Sequence, residues 1–568
     1  MSRTFTASDS KNGLTFKAYQ GDGAFLLAFS LDDNETNDLA GFAIKRTTPD
    51  GKTVMLLNRI SFDSQLTSES TAKDRTWTPS DEAPFQKFWW TDFPPNAEPG
   101  KYKYEVTAMR FGNNGIKPDQ KAYVELDYDS STHSDFEIGF TRGYIQSQAY
   151  ANRFKNEPFA PVGRGVDFDT KPYEDQYQWL GYHARKMIFN MLDECRRDND
   201  VLVDVLVYDC DEPDFIRALA SMGNRVRILM DDAALHHSSA KQIREDLAEK
   251  VLLEAGCSVR RGNFSRYAHD KVIIKRKSGQ SGAVEVLTGS TNFSVTGLYV
   301  NANHVLSIKN SDVATLYGKM FDLVFNSHAN TNTWKQSALS NKEFEFSLEG
   351  IPNLFVSLSP HINANTSLSR VETAIKSANS SVLFAVMAMD EKATGNVIPA
   401  LRSISSNPDI FSYGITDTDF SKDASVRVTT PNSPPGGRLV QSNFLSKNVP
   451  QPFVKEMSVG LAHRIHHKFV VADFNDVNPV VFCGSSNLAK GGEEQNGDNL
   501  LAIYDARVAT TFAIEAIRLV DHYAFRAAMQ VASKTDPLRL KNKSDVPWWN
   551  RYYVAGSMKN TERKLFVK

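Results

Sequence analysis

Cysteine is scarce in this chain: four residues in 568, at Cys195, Cys210, Cys257 and Cys483. They are far apart, mostly within apolar runs, and no CxxC spacing occurs. This excludes a disulfide framework and a cysteine-based zinc site, and the four read as buried reduced thiols. Long apolar runs are missing too. No stretch of about 18 apolar residues exists, so nothing is expected to span a membrane. The first twenty residues, MSRTFTASDSKNGLTFKAYQ, lack the apolar centre of a signal peptide. This places the protein in the cytoplasm or on an export route that reads no such signal. A surplus of one charge is also absent: 65 Lys and Arg face 67 Asp and Glu, a net −2. Overall charge therefore does not point to nucleic acid, and only a local patch can. What remains is ordinary globular composition, 41% hydrophobic, in a chain long enough for more than one core.

The texture of the chain changes once. Residues from about 12 to 127 read as all-β: AFLLAFSLDD, LAGFAIKRT and KYKYEVTAMRF alternate polar and apolar, separated by the turns TPDGK and PPNAEPGK. Trp89 and Trp90 fall in this region and are expected in a sandwich core, in preference to a ligand platform. The polar DYDSSTHSD at 127–135 reads as a linker. Beyond it helices alternate with apolar strands. YHARKMIFNMLDECRRD has helical periodicity, VLVDVLVYD is a strand, DEPDFIRALASMG is a helix with Pro213 near its start, and VRILMDD is again a strand. The same alternation returns in LSRVETAIKSAN, SVLFAVMAM, GNVIPALRSIS and IFSYGIT. A Pro/Gly-rich loop, TTPNSPPGGRL, follows. This is α/β texture with strands buried on both faces.

One unit occurs twice. HDKVIIKRKSGQSGAVEVLTGSTNFSVTGLYVNANHVLSI at 269–308 lies in register with HHKFVVADFNDVNPVVFCGSSNLAKGGEEQNGDNLLAI at 466–503. His269 aligns with His466, Lys271 with Lys468, Ser290 with Ser485, and Asn292 with Asn487. From the serine to Asn303 in one copy and to Asp498 in the other is 13 residues in both; from the histidine to the glycine before the serine is 20 and 18, a difference of one hairpin. Such a repeat implies a pseudo-twofold pair of domains, 128–340 and 341–568, behind an N-terminal sandwich at 1–127.

Along a strand His466 and Lys468 share a face and His467 points away; the same holds for His269, Asp270 and Lys271. Each copy therefore presents an imidazole and an ammonium, and adds Ser and Asn from a Gly-Ser-x-Asn turn whose backbone N–H groups favour an anion. Facing one another, the two sets form a phosphate cradle with a nucleophile on one side and an acid on the other. A metal reading competes: His463, His466 and His467 fit helical spacing for zinc. It loses ground because KFVVAD reads as a strand and the first copy has one histidine in that stretch. No cofactor is called for.

These residues resemble the phospholipase D superfamily, whose HKD motif reads HxK, four residues, Asp, then GSxxN or GSxN. The second copy fits through His466, Lys468, Asp473, Gly484, Ser485 and Asn487. The first fits at His269, Lys271, Gly289, Ser290 and Asn292, but Arg276 stands where the aspartate belongs. That aspartate is usually structural in the superfamily, and its loss also occurs in the tyrosyl-DNA phosphodiesterase branch. The resemblance covers about 135–568. The sandwich lies outside it, and its Tyr102–Val106 run resembles the tyrosine-bearing strand of a fibronectin type III or immunoglobulin-like domain.

The resemblance implies metal-free phosphodiester exchange through a phosphohistidine, with lysines and asparagines on the non-bridging oxygens. It also implies that a residue about thirteen past the motif serine contacts the catalytic imidazole, here Asn303 or Asp498. If each braces the histidine of its own copy, Asp498 raises His466 into the general-acid role and Asn303 leaves His269 the neutral nucleophile. Phospholipid at a membrane surface is the first substrate reading, with the aromatic VPWWNRYYV at 546–554 either touching the interface or packing onto the core. Nucleic acid is the second, on the strength of the basic VRRGNFSRYAHDKVIIKRK at 259–277, which reads equally as a guarded strand edge. A non-enzymatic binding protein would not need two such motifs. With both copies in one chain, no dimer is required to complete the site.

Overall fold

The computed structural model describes residues 4–568 except 72, 73, 75, 144–146, 239–242, 389–394, 406, 418–425, 430–437, 441–452 and 454–464. His463 and most of the Pro/Gly-rich loop thus lie outside the described residues.

Residues 6–128 form two antiparallel four-stranded sheets. One runs Thr6–Lys11, Leu14–Gln20, Phe25–Leu31, Trp89–Asp92; the other Gly115–Tyr128, Gly100–Gly112, Leu39–Thr47, Thr53–Met55. The alternation read in the sequence turns Phe16, Phe25, Phe29, Phe42, Tyr104 and Val106 into one core between them. Tyr102 donates its hydroxyl to the Glu98 carbonyl 3.2 Å away. Two expectations are refined here. Trp90 stacks on Phe85 at 3.8 Å, on the sandwich side. Trp89, one residue earlier, faces the other way, packs on Tyr413 and Phe566, and donates its indole N–H to Glu562. It joins the sandwich to the rest of the protein. The aromatic stretch at 546–554 packs inward as well: Trp548 and Tyr552 enter the sandwich core, and Trp548 and Tyr553 donate to the carbonyls of Leu39 and Leu31. That segment has no aromatic face to offer a membrane.

The expected linker is mostly strand. The sandwich strand continues to Tyr128, and Ser131–His133 already opens the next sheet. That sheet has eight strands in the order Ser131–His133, Phe136–Phe140, His304–Ile308, Ala283–Gly289, Val272–Lys277, Val201–Val207, Val226–Met230, Ser258–Arg261. The last large sheet has nine: Glu343–Phe346, Asn353–Leu358, Asn499–Tyr504, Val480–Gly484, Lys468–Ala472, Ser381–Ala388, Phe411–Asp417, Val426–Thr429, Arg438–Val440. The first seven strands of each follow the same order. In both, the only parallel step among those seven lies between the sixth and seventh, where a helix makes the crossover. They part at the eighth strand, parallel in the first sheet and antiparallel in the second.

The helix expected from Tyr182 starts earlier, at Glu174, and kinks at Tyr182, where φ is +44°. Just past the kink His183 meets Asp22 of the sandwich at 2.7 Å and Glu137 at 2.9 Å. Burial lowers its affinity for a proton, but the two carboxylates outweigh this and raise it to about 10. The longest helix, Ala506–Val531, packs against most strands of the nine-stranded sheet and touches the sandwich. Among the described residues no helix is long and apolar enough to cross a membrane. The two halves meet along a seam where Tyr267–Ala268 pairs in parallel with Asn496–Gly497, and Ala302 bridges Ile465.

Candidate active site

The two repeated motifs arrive at this seam. His269 and Lys271 directly precede the strand Val272–Lys277; Lys468 opens the strand Lys468–Ala472 and His466 stands two residues before it. All four are buried, from 0% exposed at Lys468 to 6% at His466. Each adjoining strand ends in a glycine of positive φ, Gly289 at +149° and Gly484 at +142°. A Cβ there would sit 2.3 Å from the His304 carbonyl and 2.4 Å from that of Asn499. Only glycine lets the Gly-Ser-x-Asn turn approach its neighbour so closely.

The residue thirteen past the motif serine does contact an imidazole, but across the seam. His269 Nδ1 lies 2.6 Å from Asp498 Oδ1. His466 Nδ1 lies 2.8 Å from Asn303 Oδ1 and 3.0 Å from the Ser290 carbonyl. This corrects the expectation that each half braces its own histidine. Asn303 and Asp498 stand just before strands that border the seam, and their side chains reach over it. In both cases oxygen acceptors hold a ring proton at Nδ1; Nε2 of His466 faces Lys468 Nζ at 3.2 Å.

Burial, then the ammonium groups of Lys271 and Lys468, push the His269 imidazole well below its usual value, so it is neutral near pH 7. Burial raises its partner Asp498 to about 7, against the pull of Lys271. The pair thus shares one proton between Nδ1 and the carboxylate. Lys271 donates to the His269 carbonyl and sits 4.7 Å from the centre of the Tyr208 ring; burial lowers it to about 8. Lys468 lies 3.0 Å from the His466 carbonyl and 3.2 Å from His466 Nε2. Burial, then Lys271, lower it well below its usual value. Two amines held this close and this deep create a local demand for an anion.

The other expected residues divide into two groups. Asn292 and Asn487 each have a buried side-chain oxygen without a hydrogen-bond partner, and the Asn292 amide donates to Asp209. Ser290 and Ser485 are fully buried and brace their turns: Ser290 donates to Asn303 at 2.8 Å, and Ser485 accepts from the Asn499 amide at 2.9 Å. His467 does point away from His466. It enters the seam, 3.3 Å from His304 and 3.1 Å from Glu515. Its counterpart Asp270 enters the seam likewise and accepts from Asn499 at 2.8 Å. His466 and His467 therefore aim at different partners, which removes the helical zinc triple. Among the described residues one His/carboxylate cluster has ligand spacing, His237, Asp246 and Glu249, and Arg261 already binds both of its carboxylates.

Asp473 braces backbone outside the cradle. It accepts from the amides of Asn379, Ser380 and Ser381 at 2.8–3.1 Å. At the equivalent point Arg276 pairs with Asp204 and Asp322 and donates to the Gly318 carbonyl.

With this geometry in place, the comparisons decide the family. The family profile described as cardiolipin synthase, PLD-like domain, matches residues 188–324 and 371–519, about half of the chain in two segments. The chain belongs to this PLD-like family. A search among curated proteins finds no significant match. Similar solved structures include Nuc of Salmonella typhimurium, a phospholipase D family member: 23% identity over 26% of this chain and 88% of that one, TM-score 0.21. Phosphatidylserine synthase of Haemophilus influenzae aligns at 13% identity over 59% and 84%, TM-score 0.37. Yeast tyrosyl-DNA phosphodiesterase aligns at 12% over 55% and 84%, TM-score 0.29. At these scores the likenesses say nothing of substrate.

Within the PLD-like domain a cluster beside His269 escaped the sequence. His236 bridges Asp209 and Asp231, 2.8 Å from each. Burial opposes its proton, but the two carboxylates prevail and raise it to about 10. Asp209 also faces Asn292, and the Tyr208 ring lies edge-on to both His236 and His269. The one signal available was the acidic YDCDE at the end of an otherwise apolar strand.

Proposed function

We propose that the protein is a metal-independent phosphodiesterase of the phospholipase D type, hydrolysing or exchanging phospholipid head groups through a phosphohistidine. The single observation that carries this reading is the reciprocal bracing of two histidines by residues of the opposite half, beside two buried lysines.

His269 is the nucleophile. Its ring is neutral, its proton is committed to Asp498, and Nε2 keeps its lone pair. It attacks phosphorus, the bond to the leaving alcohol breaks, and His466 gives that alcohol a proton. His466 then takes a proton from water, which attacks the phosphohistidine, breaks the P–N bond and frees His269. An incoming alcohol in place of water gives transphosphatidylation. Lys271, Lys468, Asn292 and Asn487 hold the non-bridging oxygens; Ser290, Ser485, Asn303 and Asp498 position the groups that do. The carboxylate on His269 was expected on His466, where it would have suited the acid. Burial and two ammonium groups, rather than an amide partner, now support the nucleophile assignment.

The preference for lipid rests on charge. Of the seven lysines and arginines at 259–277, three are spent on internal pairs: Arg261 with Asp246 and Glu249, Lys275 with Glu194 and Glu285, Arg276 with Asp204 and Asp322. Asp209 and Asp231 add negative charge beside His269. Both reduce the positive charge available to follow a polyanionic strand. The division into 1–127, 128–340 and 341–568 accompanies this reading, with the two later parts as a pseudo-twofold pair. The Tyr102–Glu98 contact supports an immunoglobulin or fibronectin type III-like sandwich, to which residues 548–553 return.

The test is purified protein in EDTA given phosphatidylcholine with and without ethanol, and DNA and RNA in parallel. Choline release and phosphatidylethanol are expected. Cleavage of nucleic acid without lipid turnover overturns the lipid reading. His269→Asn is expected to lose about 10⁴-fold or more in activity and to form no covalent adduct, whereas His466→Asn accumulates one. The opposite pattern reverses the two roles.

A further inference from the structure

A second cleft, of about 300 Å³, opens between the sandwich and the helix Ala506–Val531. No residue assigned to the phosphodiester site lines it. Its walls combine two features. The first is cationic: the guanidinium groups of Arg59, Arg518 and Arg526 line it together. Among the described residues two carboxylates share the lining, and both are engaged. Asp92 is committed to Arg46 at 2.7 Å and to the Tyr104 hydroxyl at 2.8 Å. Asp521 is divided between Arg59 and Lys87. Arg518 is 7% exposed; its Nη2 is paired with Glu515 and lies 3.5 Å from the Thr141 carbonyl, while its Nε has no hydrogen-bond partner. A buried guanidinium N–H left unmade costs free energy that a ligand oxygen would recover.

The second feature is aromatic. Trp77 stands at the cleft 49% exposed, an unusual position for a ring that size unless something covers it. Trp90, flat against Phe85, lies beside it in the lining, and Phe525 carries the Arg59 guanidinium 4.2 Å from its centre. Rings already stacked or capped by a guanidinium are rigid and can receive a planar group without ordering cost.

We propose that this cleft binds a small organic anion in which a planar ring carries a phosphate or carboxylate, with the oxyanion on Arg518 and Arg59 and the ring against Trp77 and Trp90. The volume sits at the lower end of small-molecule sites, which suits a nucleoside monophosphate or an aromatic acid rather than a lipid with its chains.

The test is a titration of the full-length protein followed by tryptophan fluorescence. Adenosine monophosphate and indole-3-acetate represent the two sources of a ring-borne oxyanion; adenosine and inorganic phosphate each carry half of the chemistry. Saturable quenching by one or both ring anions is expected, with adenosine and phosphate at least tenfold weaker. Trp77→Ala removes an exposed ring and leaves the fold intact; Arg59→Gln removes a lining charge. Each is expected to weaken binding at least tenfold. Lys468→Ala separates this cleft from the phosphodiester site, and affinity there should be unchanged. No saturable response to either ring anion, adenosine binding as well as its phosphate, undiminished affinity in both cleft variants, or loss of binding in Lys468→Ala overturns the proposal.

Discussion

The two halves of the PLD-like domain carry the same groups where the cradle is built and differ at several of the positions that support it. Histidine, lysine, serine and asparagine recur at 269, 271, 290 and 292 and at 466, 468, 485 and 487. Four of the supports differ. At equivalent positions Asn303 corresponds to Asp498, Asp270 to His467, His304 to Asn499, and Arg276 to Asp473. Three of these four changes lie on the seam and come in matched sets: Asp270 hydrogen-bonds Asn499, and His467 meets His304. The difference teaches that the halves are not two copies of one site. In the proposed reaction they are the two unlike sides of one site, and the unlikeness sits one layer behind the reacting groups.

The comparison breaks first at the braces. Asp498→Asn should cost roughly 10³-fold in kcat/KM, because the carboxylate that fixes the His269 tautomer is gone. The double exchange Asn303→Asp with Asp498→Asn transfers that carboxylate to His466. If the brace sets the role, adduct trapping will find the phosphoryl group on His466; an adduct still on His269 shows that the lysines set it instead. The second effect is on pH. Lys271 binds phosphate as an ammonium, and burial lowers it to about 8. The ammonium form dominates below that value, so kcat/KM should fall up to tenfold per unit as pH rises above about 8. Lys271→Arg, whose charge does not titrate there, should remove that limb while lowering the plateau.

Smaller effects fall on stability. Arg276→Asp would restore the motif aspartate by name, yet it places a third carboxylate beside Asp204, 1% exposed in its side chain, and Asp322. A loss of about 3–5 kcal/mol in chemical unfolding is expected, with little change in KM for the fraction that folds. Asp473→Ala strips an acceptor from three backbone amides and should cost about 2 kcal/mol. If instead Arg276→Asp is tolerated and Asp473→Ala abolishes activity, that position acts in the chemistry and the two halves are more alike than their contacts suggest.

What was legible in the sequence follows from distance along the chain. Two-residue alternation marked the sandwich strands, and the 13-residue step from Ser290 to Asn303 and from Ser485 to Asp498 marked the repeat. The resemblance to the phospholipase D superfamily, applied at that spacing, named both imidazole partners. It could not say which imidazole each would meet, because that depends on a seam formed by segments about 200 residues apart. The His236–Asp209–Asp231 cluster stayed hidden for a similar reason. It follows no spacing rule and exists because a loop after one strand folds over the end of another. For Trp548 and Tyr552 the sequence left interface contact and core packing both open, because their partner, the N-terminal sandwich, lies some 500 residues earlier. Arg276 was readable as a departure from the motif; its pairing with Asp204 and Asp322 required the sheet.

The crossed bracing also limits how such a chain can be altered by recombination. A segment spanning 188–324, transplanted into a relative, would bring His269 and Asn303 but leave Asp498 behind, and the incoming histidine would meet whatever the host carries there. Neither half is an interchangeable module. A successful graft must take both histidines with both braces, a linked set of four positions lying on two sides of a seam.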